Sequence, residues 1–258
     1  MNKINQLFKE KKNNILSIYF TAGFPKLNDT NIVLKELERN GIDVIEIGIP
    51  FSDPLADGPT IQRSSEAALE NGMSIKLLFE QLKQYNLHKS TSAMILMGYL
   101  NPVMQYGVEK FCKDASELGI SGVILPDLPM QEYLNEYKPV FDKYNLKNIF
   151  LITPQTSDER IRFIDEHTDG FIYMVSSSST TGAKSGIAND QESYFKRIQA
   201  LKLKNPTMIG FGISDNKSFV KACEFGNGVI IGSAFINILE KTTDLPTDIA
   251  DFVKAIKG

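Results

Sequence analysis

Eight short apolar runs punctuate the chain: ILSIYFTAG, DVIEIGIPF, AMILMGYLN, GVILPDLP, NIFLITP, GFIYMVSS, PTMIGFGIS and GVIIGSAF. Each is continuous rather than alternating, the pattern of strands buried on both faces of a parallel sheet. A Gly-, Pro- or Ser-rich break follows each run, and then a segment with helical spacing. Examples are Ile32, Val33 and Leu37 before Gly41, and Leu77, Leu78 and Leu82 after Ser74. Others are Val108, Phe111, Cys112, Ala115 and Leu118 before Gly119, and Ile161 and Ile164 behind a capping box from Thr156 to Glu159. Eight such strand-helix units predict the α/β class and a (β/α)8 TIM barrel, since an open doubly wound sheet typically needs fewer strands. Ile4, Leu7 and Phe8 give the leading segment an apolar face suited to an N-terminal helix that plugs the barrel floor. No linker or shift in composition divides residues 1–258, which predicts a single TIM-barrel domain.

Composition supports a large core, with 42% of the 258 residues hydrophobic. A net charge of -3 and no Lys/Arg cluster interleaved with aromatics leave no footprint for nucleic acid, so small anions must be caught locally. The opening MNKINQLFKEKKNN lacks the apolar core of a signal peptide, and no apolar run is long enough to cross a bilayer. The expectation is a cytoplasmic protein with no membrane contact. Cys112 and Cys223 fall on predicted amphipathic helices in no metal or redox spacing and read as buried reduced thiols. His88 and His167, both in polar surroundings, do not suggest a metal site, and none is expected.

A barrel of this kind builds its site from strand C-terminal ends and the loops after them. Those ends carry Glu46 with Asp57, then Tyr99 and Asn101, Asp127, Tyr173, Gly212, and finally Gly232 with Ser233. A carboxylate inside a core strand is costly to desolvate, so Glu46 either has a chemical task or is a structural acid satisfied by a neighbouring amide or tyrosine. Asp57 belongs to an Asp-Gly pair, which by itself reads as a turn. What favours chemistry is that the two acids bracket one strand exit. GFGIS, with Gly210 and Gly212, and GSAFINIL, which opens a helix at Ser233, together suggest a cradle of free N–H groups for a phosphate dianion. Each glycine pair alone reads equally as tight packing, and neither a dinucleotide fingerprint nor a Walker loop occurs. SSSSTTGAKSGIAND, Ser176 to Asp190, is either a surface loop or a lid, with Thr181 and Gly182 near its base. Tyr99 and Tyr173 either cap the core or line a pocket for an aromatic substrate. No predicted strand contains a lysine, which argues against an imine route, and no histidine cluster offers metal-assisted cleavage. A carbon-carbon cleavage here would need proton transfers alone and a substrate carrying its own electron sink.

The block IEIGIPFSDPLADGPTIQ, Ile45 to Gln62, is similar to LELGIPFSDPLADGPTIQ of the tryptophan synthase α-subunit family. LMGYLNPV, ILPDLP, GFGIS and IIGSAF agree with that family in order and position, so the resemblance covers essentially the whole chain. It implies retro-aldol cleavage of indole-3-glycerol phosphate to indole and glyceraldehyde 3-phosphate. It also implies an α2β2 heterotetramer in which indole passes to a pyridoxal-phosphate β subunit, with no cofactor on this chain. By the family pattern, Glu46 moves protons at indole C3 and at the side-chain hydroxyl, and Asp57 accepts from the ring N–H. Gly182, Gly212, Gly232 and Ser233 match phosphate contacts, and Thr181 matches a lid residue that closes on Asp57. Tyr173 flanks Glu46, and Tyr19 and Tyr99 belong to the substrate pocket. Pro50, Asp53, Asn101 and Asp127 match positions near the subunit interface. Two positions depart from the pattern: GVTG reads STTG at Ser179 to Gly182, and Tyr19 stands where several members have Phe. Another phosphate-binding barrel enzyme of aromatic amino acid biosynthesis is the alternative, of which indole-glycerol-phosphate synthase would call for strand lysines. A purely activating subunit is a third reading, against which the presence of both acids argues.

Overall fold

Every apolar run becomes a strand. The computed structural model describes residues 1–175, 189–210 and 212–258. Its strands are β1 (Ile15–Thr21), β2 (Val44–Gly48), β3 (Ala93–Met97), β4 (Gly122–Ile124), β5 (Lys147–Ile152), β6 (Ile172–Val175), β7 (Thr207–Gly210) and β8 (Gly228–Ile231). They pair in parallel in sequence order, and β8 returns to β1 to close the barrel. Closure leaves no sheet edge unpaired, and both faces of each strand are covered.

The two faces belong to two apolar cores. Ile15, Val44, Ile95, Ile149, Met208 and Ile230 fill the lumen, whereas Leu16, Ile18, Ile45, Ile47, Leu96 and Val229 pack under the surrounding helices. Because side chains alternate along a strand, Val44 in the lumen puts Glu46 there too. The register sets Tyr19 on β1 beside Glu46, and Ile95 on β3 on its other side.

The floor is closed by the helix Lys3–Glu10. Asn2 caps it by accepting from the Ile4 N–H at 2.9 Å, while its amide donates at 2.8 Å to the carbonyls of Ser121 and Asn145. Those contacts pin the helix below β4 and β5. Ile4 is thereby fully buried in the lumen core, and the rings of Phe8 and Phe171 stack 5.8 Å apart.

Local readings shift in four places. Ile32 is 42% exposed, because the helix Thr30–Arg39 turns Val33, Leu34 and Leu37 inward instead. The helix Asp158–His167 is capped by Ser157, whose hydroxyl accepts from the Arg160 N–H at 3.2 Å. Thr156 is not the cap: its Oγ1 turns back to accept from the Thr153 N–H at 2.9 Å. β5 begins one residue before its apolar run, so a strand lysine does exist. Lys147 stands at the floor end, paired with Asp169, a full strand away from the mouth. Cys112 is buried on its helix, whereas Cys223 is only half-buried. Among the described residues, no three His, Cys, Asp or Glu side chains gather into a group that could hold a metal ion. No helix among them is long and apolar enough to cross a membrane.

Candidate active site

Glu46 is 0% exposed in the upper lumen. The Ser17 hydroxyl donates to its Oε1 at 2.7 Å, and Oε2 is buried without a hydrogen-bond partner among the described residues. Burial pushes the carboxyl up to about 7, with the Ser17 hydrogen bond pulling the other way. A carboxyl that titrates near neutrality can both give and take a proton, which acid-base chemistry requires.

Two phenols flank it, and two glycines make room for them. A Cβ on Gly48, at the end of β2, would lie 2.2 Å from Tyr19 Oη. A Cβ on Gly210, at the end of β7, would lie 2.4 Å from Tyr173 Oη. Gly210 thus has a packing reason for its identity, apart from any amide it offers to an anion. Both phenols are buried, and burial, reinforced by the Glu46 and Asp57 charges, holds them well above the usual tyrosine range. They remain neutral walls of the mouth. The Tyr19 hydroxyl lies 3.3 Å from Thr21 Oγ1, which in turn lies 2.7 Å from Ser64 Oγ.

Asp57 comes from the loop between β2 and the helix Pro59–Glu70. Gly58 in extended conformation and Pro59 at the first helical position start that helix abruptly, so the acid is held at a fixed distance above the strand exit. The Asp57 N–H donates to the Pro54 carbonyl at 3.0 Å, and Gln62 reaches back to the Asp57 carbonyl at 2.9 Å. The Tyr99 hydroxyl donates to Asp57 Oδ2 at 2.9 Å and accepts from the Ala56 N–H at 3.0 Å. The Tyr99 ring stacks on Phe51 at 5.2 Å. Tyr99 therefore holds the acid as well as lining the mouth. Burial lifts Asp57 to about 6 against the pull of the Tyr99 hydrogen bond.

After β7, on the other side of β1 from Asp57, Gly212 is exposed with φ +78, a conformation that side chains resist. Gly232 precedes the helix Ser233–Lys241, whose first turn has no side-chain cap. Its first-turn N–H groups, which no side chain among the described residues caps, and its dipole suit an anion. A Cβ on Gly232 would sit 3.5 Å from the Tyr19 ring, so this cradle adjoins the wall beside Glu46. Thr181 and Gly182, with the STTG departure and residues 176–188 of the expected lid, lie outside the described residues.

The four residues expected at an interface do not join this cluster. Pro50 is buried at the end of the β2 run. Asp53 is exposed and accepts from Ser52 Oγ at 2.5 Å; Asn101 is exposed and accepts from Gln105 at 2.9 Å. Exposed Asp127 accepts from the Leu100 N–H with both oxygens, at 2.9 and 3.0 Å, and so caps the helix Leu100–Tyr106. Leu55, 89% exposed, projects from the same loop as Asp53 and Asp57. Sequence reasoning passed over Ser17; its signal was a polar residue inside an apolar strand, two positions before Tyr19.

A family model described as tryptophan synthase alpha chain matches residues 5–257. The tryptophan synthase alpha chain of Flavobacterium johnsoniae is 59% identical over 94% of this chain and 95% of its own length. That of Christiangramia forsetii is 55% identical over 100% of this chain and 99% of its own. The crystal structure of tryptophan synthase subunit alpha from Legionella pneumophila superposes with a TM-score of 0.89 at 35% identity, covering 100% of this chain and 97% of that one. The chain belongs to the tryptophan synthase alpha chain family, whose members cleave indole-3-glycerol phosphate to indole and glyceraldehyde 3-phosphate and leave pyridoxal phosphate to the β subunit.

Proposed function

We propose that Glu46 and Asp57 carry this chain's cleavage reaction, Glu46 as the proton carrier and Asp57 as the counter-charge. Glu46 gives a proton to indole C3, which turns the ring into an indoleninium. The side-chain hydroxyl next to the scissile bond then returns a proton to Glu46. As that C–C bond breaks, its electrons flow into the ring toward the positive nitrogen, and the hydroxyl carbon becomes the aldehyde of glyceraldehyde 3-phosphate. Protons and electrons balance without an imine or a metal. Asp57 accepts from the ring N–H and stabilises the positive charge that develops there, an effect typically worth roughly 3 to 4 kcal/mol in the transition state.

The observation that carries this reading is a buried carboxyl with one oxygen that has no partner among the described residues, pushed up to about 7 between two phenol walls. Tyr19, Tyr99 and Tyr173 enclose the indole, Gly182, Gly212, Gly232 and Ser233 hold the phosphate, and Thr181 closes on Asp57. The strand lysine that an imine or lysine-acid mechanism would want is Lys147, which is at the wrong end of β5 and occupied by Asp169. The exposed rim of Asp53, Asn101 and Asp127, with Pro50 shaping the loop beneath it, meets a β subunit in an α2β2 assembly. Residues 1–258 act there as one domain, in the cytoplasm.

The test is indole release from indole-3-glycerol phosphate by purified protein and by Glu46→Gln, with and without a β subunit. Loss of turnover in the variant, with affinity for the phosphate ligand within a few fold, is expected; unimpaired release would refute the role of Glu46.

A further inference from the structure

β1 places a hydroxyl on the Glu46 carboxyl. Ser17 is fully buried and faces the lumen two residues before Tyr19, and its Oγ donates to Oε1 of Glu46 at 2.7 Å. Oε2 of the same group is buried and meets no hydrogen-bond donor or acceptor among the described residues. The two oxygens of one carboxyl therefore stand in unlike surroundings. In a protonated carboxyl, one oxygen keeps carbonyl character and accepts, while the other bears the proton. A hydroxyl that donates to Oε1 fixes the carbonyl character there and leaves the proton to Oε2.

From this juxtaposition we infer that Ser17 is a positioning residue, which locks Oε1 of Glu46 as a permanent acceptor and reserves Oε2 for proton exchange with substrate. The inference rests on the reading of Glu46 as proton carrier. Ser17 touches no reacting atom; it acts through the carboxyl. A free carboxyl could present either oxygen, and half of its encounters would offer the wrong one. One fixed donor removes that ambiguity and holds the plane of the group, at the cost of a single buried hydroxyl.

The same bond has a signed effect on titration. A donor to the carboxylate favours its ionised form, so Ser17 holds Glu46 below the value that burial alone would impose. Among the described residues, the other ionisable groups facing this part of the lumen are Tyr19 on β1, Tyr173 on β6 and Asp57 above β2, with Tyr99 behind Asp57. The tyrosines lie above the working range, and Asp57 is marked separately by Asp57→Asn.

The experiment compares Ser17→Ala and Ser17→Thr in the full chain, measuring kcat, KM and the pH dependence of kcat/KM for cleavage of indole-3-glycerol phosphate, with Glu46→Gln and Asp57→Asn as references. Ser17→Ala is expected to move the Glu46 limb of the profile upward by roughly one to two pH units. Its kcat should fall on the order of tenfold with KM nearly unchanged, and Ser17→Thr, which keeps the hydroxyl, should leave the limb in place. Should the alanine variant lose its fold by circular dichroism, Ser17→Cys, of similar volume but a weak donor, carries the same expected shift. A Ser17→Ala limb that superimposes on that of the unaltered protein, while Glu46→Gln is inactive, overturns the role of Ser17 and leaves that of Glu46 standing. Full turnover by Glu46→Gln overturns both.

Discussion

The Tyr99 hydroxyl donates to Oδ2 of Asp57 at 2.9 Å while accepting the N–H of Ala56, one residue before that acid, at 3.0 Å. A single phenol two residues past the end of β3 thus fixes both the carboxylate and the backbone that carries it. Removing its oxygen frees the loop and deletes a donor that favours the ionised form. Tyr99→Phe is therefore expected to raise the Asp57 carboxyl above about 6. At pH 7 kcat should fall roughly fivefold to tenfold, with part of the loss recovered at higher pH. A pH-rate series on the variant checks the sign, and a profile of unchanged shape would separate Tyr99 from Asp57.

Asp57→Asn keeps the shape of the side chain and deletes its charge. Turnover should fall by about 10² to 10³, the usual cost of losing one transition-state electrostatic contact, with KM little changed. If steady-state kinetics instead show a raised KM at full kcat, Asp57 serves only to bind.

Glu46 should make the fold less stable as the pH rises. Its carboxyl titrates near 7 in the fold but at an ordinary value in the unfolded chain, so the folded protein keeps a proton that the unfolded chain has already released. Stability is whole below the ordinary carboxylate range and declines as pH rises toward 7. Glu46→Gln escapes this loss. Its thermal midpoint should nearly match the unaltered protein at pH 4.5 and exceed it at pH 8, by the equivalent of about 3 kcal/mol. Equal gaps at the two pH values would count against a strained catalytic acid.

Ile4→Ala probes the floor. The side chain is fully buried in the lumen core, so its truncation should cost about 2 to 4 kcal/mol of stability, read from urea unfolding. The mouth is at the other end of the strands, so kcat and KM should stay unchanged at temperatures where the variant is folded.

The strands were legible because continuous apolar runs bounded by Gly and Pro have few other uses. The direction of Glu46 was not, because a run buried on both faces carries no alternation to read. Only Val44 standing in the lumen core decides it. The bond from Tyr99 to Asp57 spans 42 positions and that from Asp127 to Leu100 spans 27, distances at which local pattern carries no information. The helix cap near Thr156 failed for a local reason. Two neighbouring hydroxyls could each have served, and the turn after β5 took Thr156 for Thr153. Ser17 lay in plain view, but its purpose depends on a carboxyl 29 residues further along the chain.

Asn2 and Ile4 give the barrel a sealed base. A stoppered vessel fills and empties through the same neck. Substrate arriving, aldehyde leaving and indole leaving all compete for the ring of loops that carries Asp57 and Gly212, so traffic there must be ordered in time. A second protein seated over that neck would stand where indole emerges, and could take it before it reached water.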